Sequence, residues 1–290
     1  MNTSKLKLTF SMAIFGTIGI FVRNIPMPSS AIAVVRGFGG MIFLLLLTLI
    51  TGKRISKENI KRNLLKLFFS GAFVGINWIL LFEAYRYTSV ATATLCYYLA
   101  PVIIMLVSPV FLKEKLTPRK LLCIFGALFG MVFVSGVAEN GIPSFSEITG
   151  VLLGTGAAAF YASAVILNKK LKNIEGNDRT VVQLGFAGAV ILPYTLLTEN
   201  LAEIKLDATA GILLAIVAIV HTGISYALYF GSLKDLNTQT VAILSYIDPI
   251  VAIVLSAVIL KEPLTVYSII GAVLILGSTL ISELPQKQKI

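Results

Sequence analysis

The sequence predicts an all-α integral membrane protein of ten transmembrane helices, built as two inverted five-helix repeats. Three observations predict it. Of the 290 residues, 57% are hydrophobic and 13% charged, and the mean hydropathy of +0.89 is far above that of an ordinary soluble domain. Apolar runs of about 20 residues, the length that crosses a hydrocarbon core, recur from Leu6 to Ile281. The chain also resembles itself at a fixed offset.

The predicted spans are 6 to 23, 29 to 51, 64 to 87, 90 to 112, 117 to 136, 148 to 168, 180 to 198, 209 to 233, 237 to 260 and 264 to 283. No hydrophilic stretch between them is long enough for a soluble domain, which disfavours a receptor or kinase design. Lys5 and Lys7 ahead of an apolar stretch, and Ala31-Ile32-Ala33 after it, imitate a signal peptide and its cleavage site. The repeat needs span one, so it is counted as a helix.

The net charge of +10 does not call for nucleic acid. With the N-terminus inside, cytoplasmic segments carry 19 of the 24 basic residues: Lys5 and Lys7, GKRISKENIKRN with Lys66, KEKLTPRK, NKKLKNIEGNDR, Lys234, Lys287 and Lys289. Arg23, Arg36, Arg86, Lys205 and Lys261 lie elsewhere. This is the positive-inside pattern, and it predicts a multi-pass protein of the plasma membrane with both termini cytoplasmic. Cys96 and Cys123 fall inside apolar helices and are assigned to packing. No metal site, cofactor or catalytic residue is expected.

Shifting the chain by 148 residues aligns Gly75 to Thr117 with Gly223 to Thr265 without a gap, with 14 identities in 43 positions. Tyr98/Tyr246, Pro101/Pro249 and KEKLT/KEPLT are among them. The same offset pairs Gly37, Phe38 and Gly40 with Gly185, Phe186 and Gly188. The halves divide at 1 to 140 and 141 to 290. Each holds five spans, an odd number, so the second copy enters the membrane from the opposite side. Inverted repeats around a midplane site are an architecture of secondary transporters.

The repeat also separates scaffold from task, because what the shared scaffold requires tends to recur in both halves. Pro101 and Pro249 recur and are read as helix kinks; the KE and LT pairs recur and are read as interfacial anchoring and capping. The ionisable residues at membrane depth do not recur. Asp248 matches Ala100, His221 matches Phe73, Glu83 matches Gly231 and Arg36 matches Leu184. A charge at a helix centre costs about 2.5 to 3.5 kcal/mol on insertion scales, so such residues usually face the bundle interior and mark a pathway or relay. Asp248 and His221 fall near the midplane of spans nine and eight. Asp248 is expected to carry a proton or to meet a substrate ammonium; the structural alternative is that it caps, while protonated, the carbonyls freed by the kink. Glu83 and Arg36 fall in the outer third and are read as a coupling or structural ion pair, with each other or between Glu83 and Arg86.

At 100° per residue, Asp248 shares a face with Ser245, Val241 and Ala252, while Tyr246 points away. The matching face of span four carries Tyr97. His221 lies with Ser225, whose counterpart on span three is Asn77, flanked by Trp78. The expected cavity is therefore lined by Asn77, Trp78, Tyr97, His221, Ser225, Ser245 and Asp248. The pairs Gly71/Gly75, Gly126/Gly130 and Gly150/Gly154 have the G-x-x-x-G spacing that lets helices approach closely.

Arg36 early in span two, YRYTSVATATLCYYLAP followed by KEKLT, and SYIDP followed by KEPLT resemble the drug/metabolite transporter superfamily, EamA branch, over nearly the whole chain. The resemblance implies a ten-helix inverted-repeat carrier with a central cavity, and mostly exporters of amino acids and related metabolites. Without a nucleotide-binding P-loop, the driving force would be a proton gradient or the substrate's own gradient, used by alternating access. A multidrug, organic-cation or other metabolite carrier of the same fold is the alternative. A membrane-embedded hydrolase is remote, since the chain has one histidine and no H-E-x-x-H. The expected partners are a small-molecule substrate and membrane lipids, with no nucleic acid and no second copy required.

Overall fold

In the computed structural model every regular element among the described residues is helical. Those residues are 3–52, 55–113, 116–135, 138, 144–204, 207–233, 235–236 and 238–284. Lys53, Arg54, Glu114, Lys115, Lys205, Lys234, Lys287 and Lys289 of the basic and KEKLT segments lie outside them. The helices are α1 (Thr3–Arg23), α2 (Ser29–Ile50), α3 (Lys57–Tyr87), α4 (Val90–Tyr97), α5 (Ala100–Phe111), α6 (Pro118–Val134), α7 (Phe145–Lys169), α8 (Gly176–Thr198) and α9 (Ala208–Ala218). A π-turn (Ile219–Ile224) leads into α10 (Ser225–Leu233), followed by α11 (Thr238–Ser245), α12 (Ile247–Val258) and α13 (Val266–Glu283).

Among the described residues, seven stretches are long and apolar enough to cross a membrane: α1, α2, α3, Val90–Phe111, α7, α8 and Ala208–Leu233. Shorter apolar helices run over Ile243–Val258 and Val266–Ser282, and α6 has 17 residues. The apolar surface agrees with a lipid setting: Leu49, Phe125 and Val273 are 71%, 66% and 67% exposed, and such a surface in water would aggregate.

Helix starts follow local chemistry. Ser56, Ser89, Thr117, Asp207 and Thr265 each accept a hydrogen bond from the backbone N–H three residues on, filling one of the donors that a helix N-terminus leaves open. Ser144 and Glu147 form a full capping box. Thr117 and Thr265 end KEKLT and KEPLT, so the LT of both segments caps a helix. Lys113 and Lys261 open those segments and both have φ of 57°, a left-handed conformation uncommon for a side-chain-bearing residue.

Among the closest helix pairs, α3 lies along α7 and α8, α2 crosses α8, α6 packs on α13, and α1 packs on α10 and α12. Small residues set these distances. A Cβ on Gly37 would stand 2.9 Å from the Gly188 nitrogen, and one on Gly130 would stand 2.9 Å from the Gly271 carbonyl. Gly71, Gly75, Gly126, Gly150 and Gly154 also meet neighbouring helices of the same chain, so the expected close approaches are intramolecular.

Polar ties gather at two faces. On the face where α1 begins, Ser4 donates to Asp235, the Ser56 N–H to Asp178, and Asn63 to the Lys172 carbonyl. On the opposite face, Glu262 holds Arg23, the Val90 N–H and the Ser256 hydroxyl. Ser29 and Arg86 both reach Glu83, at 2.7 and 3.7 Å.

Candidate functional site

Two apolar stretches are interrupted at corresponding places. The first breaks at Tyr98 and Leu99, between α4 and α5, and the second at Tyr246, between α11 and α12. Pro101 and Pro249 follow each break within the next turn. Proline has no N–H to give the carbonyl four residues earlier, and at Ser245 the hydroxyl of Tyr98 stands 3.5 Å from that freed oxygen. The expected kinks are thus helix interruptions. Asp248 occupies the first turn of α12, where the positive end of a helix dipole favours a carboxylate.

The same Tyr98 hydroxyl donates to Asp248 Oδ2 at 2.8 Å. The Tyr98 hydroxyl thus stands near both the freed Ser245 carbonyl and the carboxyl group. Tyr98 packs edge-on against Tyr97, with ring centroids 5.9 Å apart, and Tyr97 packs 5.4 Å from Tyr161. Asp248, Tyr97 and Tyr98 are half-buried and Tyr161 is exposed. This half-open aromatic wall leads to Tyr226, which stacks on Phe230 at 5.9 Å. Arg179, at the start of α8, sits 5.6 Å over the Phe230 ring.

Arg36 is not paired with Glu83. Its guanidinium lies 4.1 Å above the Trp78 ring and 5.6 Å from Phe82. Nε donates to Thr222 Oγ1 at 3.0 Å, and the side chain is buried. Tyr97 and Tyr226 pack on the same buried cluster that contains Trp78, Phe82 and Tyr85. Depth counted along α2 left out the length of the arginine side chain, which carries the charge away from Glu83 and into the bundle. A desolvated cation–π contact contributes about 2 kcal/mol, somewhat less than the insertion cost of a central charge.

The other expected site residues are engaged within their own helix or with a neighbouring one. Asn77 donates to the Ala157 carbonyl at 2.7 Å, tying α3 to α7. His221 is buried, with Nε2 linked to Thr17 Oγ1 at 2.7 Å, Nδ1 3.4 Å from the Ile216 carbonyl, and Phe21 edge-on at 4.8 Å. Ser225 bonds the Val220 carbonyl and receives Ser11 on its own carbonyl. Ser245 bonds the Val241 carbonyl. The structure therefore brings together Asp248, Tyr97, Arg36 and Trp78, and adds Tyr98, Tyr161, Tyr226 and Thr222. It sets Asn77, His221 and Ser225 in helix contacts.

Access differs between the faces. On the face of Glu262, the half-helices α4 and α12 pack on each other, over buried Val22, Ile25, Phe82, Tyr85 and Val90. Among the described residues, α5 and α11 on the other face form no such packed pair. A separate groove of about 410 Å³ runs between α4, α12 and α13. Its Ser89, Thr92 and Ser268 are used in helix caps, and its walls are mostly apolar, as expected of a lipid-facing groove.

The model of the EamA-like transporter family matches residues 6–136 and again 148–283. The chain belongs to the EamA-like transporter family. Among similar proteins, the uncharacterized transporter YxxF of Bacillus subtilis is 32% identical to this EamA-like protein over 276 residues, covering 94% of this chain and 87% of that one. Protein PecM of Dickeya dadantii is 27% identical, covering 75% and 73%. The probable amino-acid metabolite efflux pump of Salmonella typhimurium is 28% identical, covering 59% of each. A solved crystal structure at 17% identity superimposes with a TM-score of 0.66 over 97% of this chain and 96% of that chain, a likeness of fold alone. This EamA-like protein is a multi-pass membrane protein of a transporter family.

Proposed function

We propose that the protein is a secondary active exporter of amino acids or closely related metabolites, working by alternating access in the plasma membrane. In this reading ten crossings form two inverted repeats, 1–140 and 141–290, with both termini cytoplasmic. The observation that carries the reading is Asp248: a half-buried carboxylate in the first turn of a half-helix, bonded to a tyrosine from the matching break. Broken helices at mid-membrane are where transporters bind substrates and coupling ions. The packing of α4 on α12 at the face of Glu262 supports a site reached from the opposite, cytoplasmic side. The name of the Salmonella relative supports the amino-acid class.

Asp248 takes the proton or the substrate ammonium, and the tyrosines shape the pocket. The aromatic wall around a carboxylate also favours a second reading, a carrier of organic cations. The test is exchange of labelled amino acids into proteoliposomes, for wild type and Asp248→Asn, with and without a pH gradient. The expected result is gradient-stimulated uptake by the wild type and gradient-insensitive exchange by the variant. Absence of amino-acid flux under every gradient, with uptake of a labelled quaternary amine, would replace the amino-acid reading by the second one.

A further inference from the structure

Building on the transport reading above, we propose that Arg36 is the carboxylate-binding subsite of the cavity, so that the transported molecule must carry a free carboxylate as well as an amine. Arg36 is 6% exposed, yet among the described residues no carboxylate oxygen lies within 4.0 Å of it. Glu83, the acid that the sequence offers, is taken by Ser29 and Arg86. Buried charges are normally paired, so this cation lacks its counterion.

Its donors are divided between holding and offering. Nε is spent on Thr222, and the central carbon of the guanidinium stands 4.1 Å over the Trp78 ring. These two contacts hold the group in place. Nη1 and Nη2 have no hydrogen-bond partner among the described residues, and neither is among the sealed, partnerless atoms. They remain open beside the cluster of Trp78 and Phe82, on which Tyr97 and Tyr226 pack, and the Tyr97 ring stands 5.9 Å from that of Tyr98, the donor to Asp248. A fixed guanidinium with two free parallel donors matches a carboxylate by bidentate hydrogen bonding.

The pairing of a free cation with Asp248 selects a zwitterion. An organic cation without an acid group would meet the carboxylate and also the unneutralised guanidinium, and like charge in a desolvated site works against binding. The assignment therefore also separates the two transport readings.

The protein carries its own reporter, because Trp78 is the only tryptophan and lies directly beneath Arg36. An anion drawn to the guanidinium changes the field at the indole. The experiment titrates the purified full-length protein with an equimolar pool of the non-fluorescent amino acids and, separately, with the matching pool of amino-acid amides. Trp78 emission is followed throughout. The acids should shift the emission saturably and the amides should not; Arg36→Lys, which keeps the charge but loses the fork, should weaken the response to the acids at least tenfold. Equal response to both pools, or response to neither, overturns the assignment, and this wild-type comparison needs no variant to fold. Counterflow with the same pools separates the two levels. Flux of acids and amides alike, without a selective Trp78 response, would sink the Arg36 subsite and leave transport standing, whereas a selective response without flux would keep the subsite and sink the transport reading.

Discussion

The Tyr98 hydroxyl donates to Asp248 Oδ2 at 2.8 Å, joining two helix breaks that lie 148 residues apart in the alignment of the two halves, apart from a shift of two positions within the turn. One half contributes the donor and the other the acid. The bond has meaning for function only if the two breaks share one site.

Tyr98→Phe removes this donor and keeps the ring that packs on Tyr97 and Tyr246. A hydrogen bond to a charged group contributes about 1.5 to 3 kcal/mol, so substrate affinity in counterflow should fall roughly tenfold or more. The bond is also present without substrate, so the thermal unfolding midpoint should fall by a few degrees as well. A large loss of thermal stability with unchanged affinity would make the bond a structural tie.

Asn77→Ala should affect stability alone. Its amide serves the Ala157 carbonyl in the α3 and α7 contact, and leaving a buried acceptor unsatisfied costs about 1 to 3 kcal/mol. Thermal stability should fall while KM for exchange is unchanged. A rise in KM without loss of stability would return Asn77 to the cavity.

Glu262→Ala should loosen the face that is closed. The carboxylate meets Arg23, the Val90 N–H and the Ser256 hydroxyl, so its removal releases three elements together. A cysteine placed at Val90, which is 1% exposed, should then react several-fold faster with a membrane-impermeant thiol reagent added from outside. Cys96 and Cys123 are buried and supply the background. Unchanged labelling would show that apolar packing alone closes this face.

Gly37→Val should impair folding. The added side chain would meet the backbone of α8 at Gly188, and overpacking costs about 1 to 3 kcal/mol. Lower yield and a lower unfolding midpoint are expected. Tolerance of valine would mean that α2 and α8 separate more easily than their contact implies.

Much of this arrangement is legible in the sequence because it follows from local chemistry. The caps at Thr117 and Thr265, the interruptions near Pro101 and Pro249, and the small residues at helix contacts each need only a few neighbouring residues to be recognised. The site is less legible because ideal helix phase does not hold across interruptions. The interruption follows Tyr97, and a constant 100° step carried across it selects Tyr97 while missing the donor Tyr98. His221 and Ser225 were placed by the same rule across a π-turn that changes the phase. Arg36 was placed by the depth of its backbone, although its charge lies a side chain away on Trp78. One signal does not depend on helix phase: Asp248 has no acidic counterpart in the other half, where Ala100 stands.

The π-turn has a consequence for how binding is felt elsewhere. His221, Thr222 and Ser225 all point their side-chain bonds at carbonyls five residues back, and Thr222 Oγ1 also receives Arg36. Such a turn stores one surplus residue relative to an α-helix. Passing that surplus along the helix would rotate the segment it crosses by about 100°, and Tyr226 and Tyr229 are the first aromatic residues in its way. The hydroxyl that accepts from Arg36 also donates to the carbonyl five residues back, so the guanidinium and the winding of the helix that carries the far wall share one side chain.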